Sequence, residues 1–237
     1  ILLSTTLLFV SFSIGASYES AQRKMARGMA GSATISVTAL DGEIKAGTLP
    51  ELSSIRASVG MVAGRALYHE NGYYETIDLI AADLPTLSKI NPPRLVNGGN
   101  ITNFSDSQVI LPDRFTSKYG IQKGDKITLQ IGGNPVSFTV AEIAAYDTVF
   151  LRHTRGATAL LPLSTLSELL GQTDGYTEIL VEPAEGISAV ELKEELESRL
   201  PAEKYKVSEV INEAQIAADA RQKSMPFFLI SFFSLTM

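Results

Sequence analysis

Two stretches without a single charged side chain bracket the chain. No charge occurs before Glu19, and residues 1 to 16 read ILLSTTLLFVSFSIGA. As a helix rising about 1.5 Å per residue this segment is roughly 24 Å long, somewhat short of a bilayer's hydrocarbon core. Residues 224 to 237 read SMPFFLISFFSLTM and are likewise uncharged. A cleaved signal peptide accounts for one apolar end, whereas two truncated membrane spans account for both. The pattern therefore predicts the end of one transmembrane helix at the start of the chain and the beginning of a second at its close. Arg23, Lys24 and Arg27 follow the first segment, which favours cytoplasm by the positive-inside rule, but large domains translocate largely regardless of charge.

Beyond the apolar segment, Tyr18, Ala21, Met25 and Met29 recur at three- and four-residue steps, so the first helix is expected to continue as a stalk within residues 1–30. Val210, Ile211, Ala214, Ala217 and Ala218 make a narrow apolar stripe on a second stalk within residues 210–237. Each stripe is too narrow to be buried alone, so the stalks are expected to pack side by side, the alanines permitting close approach. Pro226 lacks an amide donor and is expected to bend the second helix or restart it at the membrane surface.

Between the stalks the period changes. ATISVTA at 33–39 reads as a strand followed by an Asp41-Gly42 turn, PELSSIRA at 50–57 opens with Pro50 at a first helical position, and SVGMVAGRALY reads as a second strand. Residues 73–161 are rich in short alternating runs separated by Gly, Pro and Asn, which predicts a β-rich part. Within it the uncharged run 127–141 is broken by Gly132, Gly133, Asn134 and Pro135, a hairpin signal. A short helix from Ser164 closed by Gly171 and a strand at 176–182 follow. Ser188 and Glu191 then have capping-box spacing, Ala189, Leu192, Leu196 and Leu200 share a face, and Pro201 stops the helix before KYKVSEV supplies a strand. Strand, helix, strand thus occurs near both ends, with the β-rich region inserted.

Composition narrows the chemistry. Of 237 residues 45% are hydrophobic and 19% charged, which excludes disorder as the main state, and a net charge of -6 from 20 basic and 26 acidic residues argues against nucleic acid as a partner. With no cysteine and two histidines there is no disulfide framework, thiolate nucleophile, cysteine zinc site or three-histidine metal centre. GxxxxGK[ST] is absent, so no P-loop holds a nucleotide, and Gly98-Gly99 lacks a following amphipathic helix and reads as a loop. His153 lies between Arg152 and Arg155, whose charges repel a metal and favour surface or anion contact; His69 beside Glu70 reads as a strand end before an Asn71-Gly72 turn. Glu194 and Glu195 sit on a solvated helix, and the sequons at Asn100 and Asn103 matter only in a eukaryotic secretory setting. The sequence carries no recognisable catalytic constellation and no cofactor motif.

The most distinctive segment is VILPDRFTSKYGIQKGDKITLQIGGNPVSFTVAEIA at 109–143. Pro112 can begin a short helix, Gly120 can cap it in a left-handed conformation, and Gly124-Asp125 can turn the chain into a strand at 126–131. Asp125 is expected to accept backbone hydrogen bonds there, so these residues are read as architecture rather than as a ligand site.

Here the sequence resembles the extracytoplasmic domain of ABC-transporter permeases of the FtsX/MacB superfamily, in which a strand, short helix, Gly-apolar-x-x-Gly-Asp turn and hairpin recur. The matching turn is Gly120-Ile121-Gln122-Lys123-Gly124-Asp125. The resemblance implies an α+β fold: a βαβ-based porter-like part at 31–72 and 162–209, interrupted by a β-rich sabre-like part at 73–161. It also implies a cell-membrane protein whose central domain is extracytoplasmic. Its partners would be a cytoplasmic ABC ATPase, separate or fused, a second permease copy, and an extracytoplasmic protein or a lipid or peptide substrate. The ATPase fused to MacB and the later membrane helices do not occur in this sequence. The implied role is mechanotransmission, with ATP hydrolysed elsewhere. The same helix-domain-helix layout is shared by the ligand-sensing domain of a receptor or histidine kinase, the alternative reading.

Overall fold

The computed structural model describes residues 2–70, 72–102, 104–152, 156–172 and 175–236. They divide into two compact units, one made of Ile1–Arg27 with Ile211–Met237 and the other of Gly28–Val210.

The first unit holds most of helix α1 (Leu2–Ala30) and all of helix α6, the last of the chain (Glu213–Thr236). Among the described residues no helix is long and apolar enough to cross a membrane. The physical reason is local. Glu19, Arg23, Lys24 and Arg27 occupy the later turns of α1, and Glu213, Asp219, Arg221 and Lys223 the earlier turns of α6, so each helix is apolar over only part of its length. Pro226 lies inside α6 and does not end it.

The second unit is built on one nine-stranded mixed sheet. In chain order its strands are β1 (Ile35–Ala39), β3 (Ile55–Glu70), β4 (Tyr73–Ala82), β5 (Gln108–Pro112), β6 (Lys126–Ile131), β7 (Asn134–Ala144), β8 (Ala157–Pro162), β10 (Glu178–Pro183) and β11 (Tyr205–Glu209). Two short strands, β2 (Ile44–Lys45) and β9 (Gly175–Tyr176), pair separately. The spatial order is β11-β1-β10-β3-β4-β8-β5-β7-β6, and β6 returns to pair with β3 from Ala66↔Ile131 to Tyr68↔Leu129. Strands β3, β4, β8, β5, β7 and β6 therefore close on themselves as a small barrel.

Alternation fills this barrel. Strand β6 reads exposed-buried throughout, sending Ile127, Leu129 and Ile131 inward, where they meet Leu79, Val109, Phe138, Val140 and Leu161. Helices α3 (Asp113–Tyr119) and α4 (Leu163–Leu170) add Phe115 and Leu166 to the same core. Strand β8 is buried on both faces because Leu160 joins a second core with Val59, Met61, Ile80 and Phe150, the last from a 3₁₀ helix at Thr148–Arg152.

The first half of β3 belongs to a different arrangement. It pairs with β10, and β10 and β11 both run antiparallel to the β1 strand between them. Helix α5 (Ala189–Arg199) connects β10 to β11 and packs Leu192 and Leu196 on Ile35, Val37 and Val181, completing a split βαβ unit. Its capping box forms as expected: Glu191 N–H donates to Ser188 Oγ at 3.2 Å and Ser188 N–H to Glu191 Oε2 at 2.8 Å.

One expectation is corrected. No helix forms at 50–57: Ile55 N–H turns back to Leu52 O at 3.1 Å, and Ile55 already starts β3. Pro50 suits a helix start, but the β10 ladder onto β3 outweighs that local preference. Of the two strand-helix-strand units expected near the ends, the C-terminal one, through α5, forms. The β3–β4 hairpin, with Glu70 opposite Tyr73, spans the expected boundary between residues 72 and 73. Asn71, Asn103 and the His153 segment lie outside the described residues.

Candidate functional site

Within the first unit α1 and α6 are neighbours running antiparallel. A Cβ built on Gly15 would lie 3.8 Å from Ser224 Cβ, and Arg23 reaches Glu213 with Nε at 2.9 Å and Nη2 at 2.8 Å from Oε2. Arg23 Nη2 also lies 3.3 Å from Glu19 Oε2, one turn back on its own helix. The Arg23 hydrogen bond holds the Glu213 carboxyl below its ordinary value against an opposing burial effect, and the charges of Arg23 and Arg27 add smaller contributions in the same direction as the bond. The Arg23 guanidinium is held up in turn, chiefly by the same bond.

Of the residues expected on the stalks, Tyr18, Met25, Met29, Val210, Ile211 and Ala217 are half-buried, whereas Ala21, Ala214 and Ala218 are exposed. Among the described side chains of α6 the buried ones are Ile216, Ala220 and Ser224, one helical turn apart. The four-residue step from Ile216 to Ala220 to Ser224 was the signal in the sequence, masked because Ser224 is polar. Its hydroxyl is satisfied within the helix by Arg221 O at 3.1 Å, which lets it occupy a buried position.

The Gly120–Asp125 turn is built as its residues imply. Gly120 caps α3 at φ 67° and Gly124 sits at φ 92°, both left-handed. Asp125 Oδ2 accepts from Gln122 N–H at 2.7 Å, and the turn is tied to β7 by Gly124 N–H to Val140 O and Val140 N–H to Asp125 O, each 2.8 Å. These bonds use the carboxylate for the loop's own backbone.

A joint that sequence reasoning missed lies where α1 ends. Asn91, 2% exposed, donates its side-chain amide to the carbonyls of Gly28 and Met29, both at 2.9 Å. Ser32 N–H reaches Ile90 O at 3.0 Å, and Gly31, at φ 63°, packs so closely that a Cβ would collide with that carbonyl. The last carbonyls of a helix lack intrahelical partners, and Asn91, the C-cap of α2 (Leu84–Ile90), supplies a donor to two of them. An asparagine after an apolar helix and before Pro92-Pro93 looks like a turn residue; nothing local shows what it caps.

At the far end of the barrel Tyr68 donates to Glu70, and burial first, then that carboxylate, pushes the phenol up. Glu75 accepts from Tyr119 at 2.5 Å and pairs with Lys118. His69 stacks on Tyr74 with centroids 4.3 Å apart, as a strand-end residue. Among the described residues no group of three or more His, Cys, Asp or Glu side chains is arranged to hold a metal.

This fold is similar to two solved structures. One is the crystal structure of the periplasmic region of MacB from Actinobacillus actinomycetemcomitans: 13% identity over 78% of this chain and 92% of that one, TM-score 0.54. The other is the extracellular domain of the noncanonic ABC-type transporter YknZ from Gram-positive bacteria: 14% identity over 74% and 99%, TM-score 0.53. The chain thus shares the fold of these two domains. A family model, the MacB-like periplasmic core domain, matches residues 1–199, and the chain belongs to that family, as the resemblance at Gly120–Asp125 implied. No curated protein matches it.

Proposed function

We propose that this domain transmits mechanical work in an ABC-transporter permease. ATP binding by a cytoplasmic ATPase, separate or fused, moves membrane helices that α1 and α6 continue, and the outer domain follows, acting on an extracytoplasmic protein or on a lipid or peptide substrate. The protein is anchored in the cell membrane by those helices, works as a permease dimer, and contributes no catalytic group of its own. The split βαβ sheet corresponds to the porter-like part and the closed barrel to the sabre-like part. The observation that carries this reading is the Arg23–Glu213 clasp, which joins two helices from opposite ends of the chain.

The test is direct because the chain has no cysteine. Cysteines at Gly15 and Ser224, whose Cβ positions are 3.8 Å apart, match disulfide geometry. They should cross-link in the full-length protein with an efficiency that changes when the ATPase is trapped with ATP. Absence of cross-linking removes the helix pair. Cross-linking indifferent to nucleotide but responsive to a small extracellular ligand moves the assignment to a sensor, the reading that family membership disfavours.

A further inference from the structure

Strand β3 is longer than the partners on either of its sides. On one side it meets β10 at residues 55–61 and β6 at 66–68; on the other, the β4 ladder begins at Met61↔Ala82 and runs to Glu70↔Tyr73. Past Ala82 the chain leaves the sheet, because Asp83 caps α2. Residues 56 to 60 therefore have no strand partner on the β4 side, and among the described residues no loop backbone bonds to them there. A buried backbone donor or acceptor without a partner is costly, so an edge like this is either solvated or paired.

The edge opens into a cleft of about 640 Å³. Three features of that cleft select one kind of occupant. Ala57 and Ser58 have small side chains, so another chain can approach the β3 backbone closely there, while the Tyr176 ring packs onto Gly60. Leu49, Leu52 and Leu163 line the cleft and can receive every second side chain of an extended segment. Glu51 and Asp83, both exposed, stand at its rim and favour a basic flank, while Arg56 is engaged by Glu182 at 3.3 Å. Only a polypeptide offers alternating N–H and C=O groups at the repeat that five strand residues, about 17 Å of edge, require.

We infer that the edge of β3 from Arg56 to Gly60 binds an extended, basic-flanked segment of a second, different polypeptide by strand addition. The inference goes beyond the permease reading and does not depend on it.

The experiment uses the full chain in detergent and a fluorescein-labelled KVTVTVK peptide, beside the same peptide methylated at every backbone nitrogen. Amide hydrogen exchange at the alternate residues of 56–60 whose N–H faces away from β10 should be fast alone and slow by at least about tenfold with saturating KVTVTVK, while exchange across 62–68 stays unchanged. The methylated peptide, which has no donors, should leave it fast. Three results overturn the assignment. One is no slowing at saturation. Another is equal slowing by both peptides, which would make the cleft a side-chain pocket. The third is slow exchange without peptide that quickens on dilution, which would make a second copy of this chain the occupant.

Discussion

Arg23 and Glu213, 190 residues apart in sequence, are held with Nη2 2.8 Å from Oε2, and they clasp the helices that open and close the chain. Exposed ion pairs are weak individually, so the clasp is expected to set geometry more than stability. Spin labels at the exposed Lys24 and Ala218 should report a narrow distance distribution that broadens in Arg23→Ala. The reversed pair Arg23→Glu with Glu213→Arg should restore it.

The same pair carries a pH dependence. Glu213 has its carboxyl lowered in the folded state, so its contribution is present above the unfolded carboxylate value of 4.5 and disappears as pH falls through the lower folded value. The label distances should therefore broaden on acidification below 4.5, and Glu213→Gln should be broad throughout. A pH-independent distribution in the unmodified pair would contradict the clasp.

Gly124→Val tests the turn. At φ 92° nothing lies within 4 Å of a built Cβ, so the substitution meets backbone strain and no collision. Destabilisation of roughly 1–2 kcal/mol is expected, read from thermal unfolding. Asp125→Ala, losing the bond to Gln122 N–H, should cost about 1 kcal/mol. Transport lost with unchanged stability would mean that the turn contacts a partner.

Asn91→Ala should destabilise the domain by about 1–3 kcal/mol, because it leaves the Gly28 and Met29 carbonyls without their buried donor. Asn91→Asp should be worse, since it presents an acceptor to two acceptors. Chemical denaturation of both variants decides the matter, and equal stability of Asn91→Asp and the parent would show that the joint is not carried by these bonds.

Ser188→Ala should cost about 1 kcal/mol in the stability of α5. Glu191, held below its ordinary value by the Ser188 backbone bond and then by the Ser188 hydroxyl, contributes above 4.5, and that contribution fades as pH falls through its folded value. The variant should therefore show a flatter acid limb in thermal unfolding than the parent.

Local chemistry was legible wherever one short stretch settles its own conformation. The capping box at Ser188 and Glu191, the left-handed caps at Gly120 and Gly171, and the Gly132-Gly133 turn joining Ile131 to Asn134 all depend on backbone preferences within a few residues. The helical ends and the run of half-buried strands follow from hydrophobic period in the same way. Family membership was legible too, because the Gly120–Asp125 turn repeats a spacing.

Tertiary structure alone decided the rest. Nothing near Pro50 reveals that β10 would claim Ile55–Met61 as a strand, or that β6 would return to β3 and close a barrel, since those ladders join residues far apart in sequence. The buried face of α6 passes through Ile216, Ala220 and Ser224 rather than through Ala214 and Ala218. A narrow stripe of small residues fits several rotations of a helix, and only the neighbouring surface selects one. Arg23 reads in sequence as one of three basic residues following an apolar segment, and Asn91 as a turn residue. Their partners, Glu213 and the carbonyls of Gly28 and Met29, come from remote segments, and a polar side chain's role depends on which unsatisfied group the fold brings within about 3 Å.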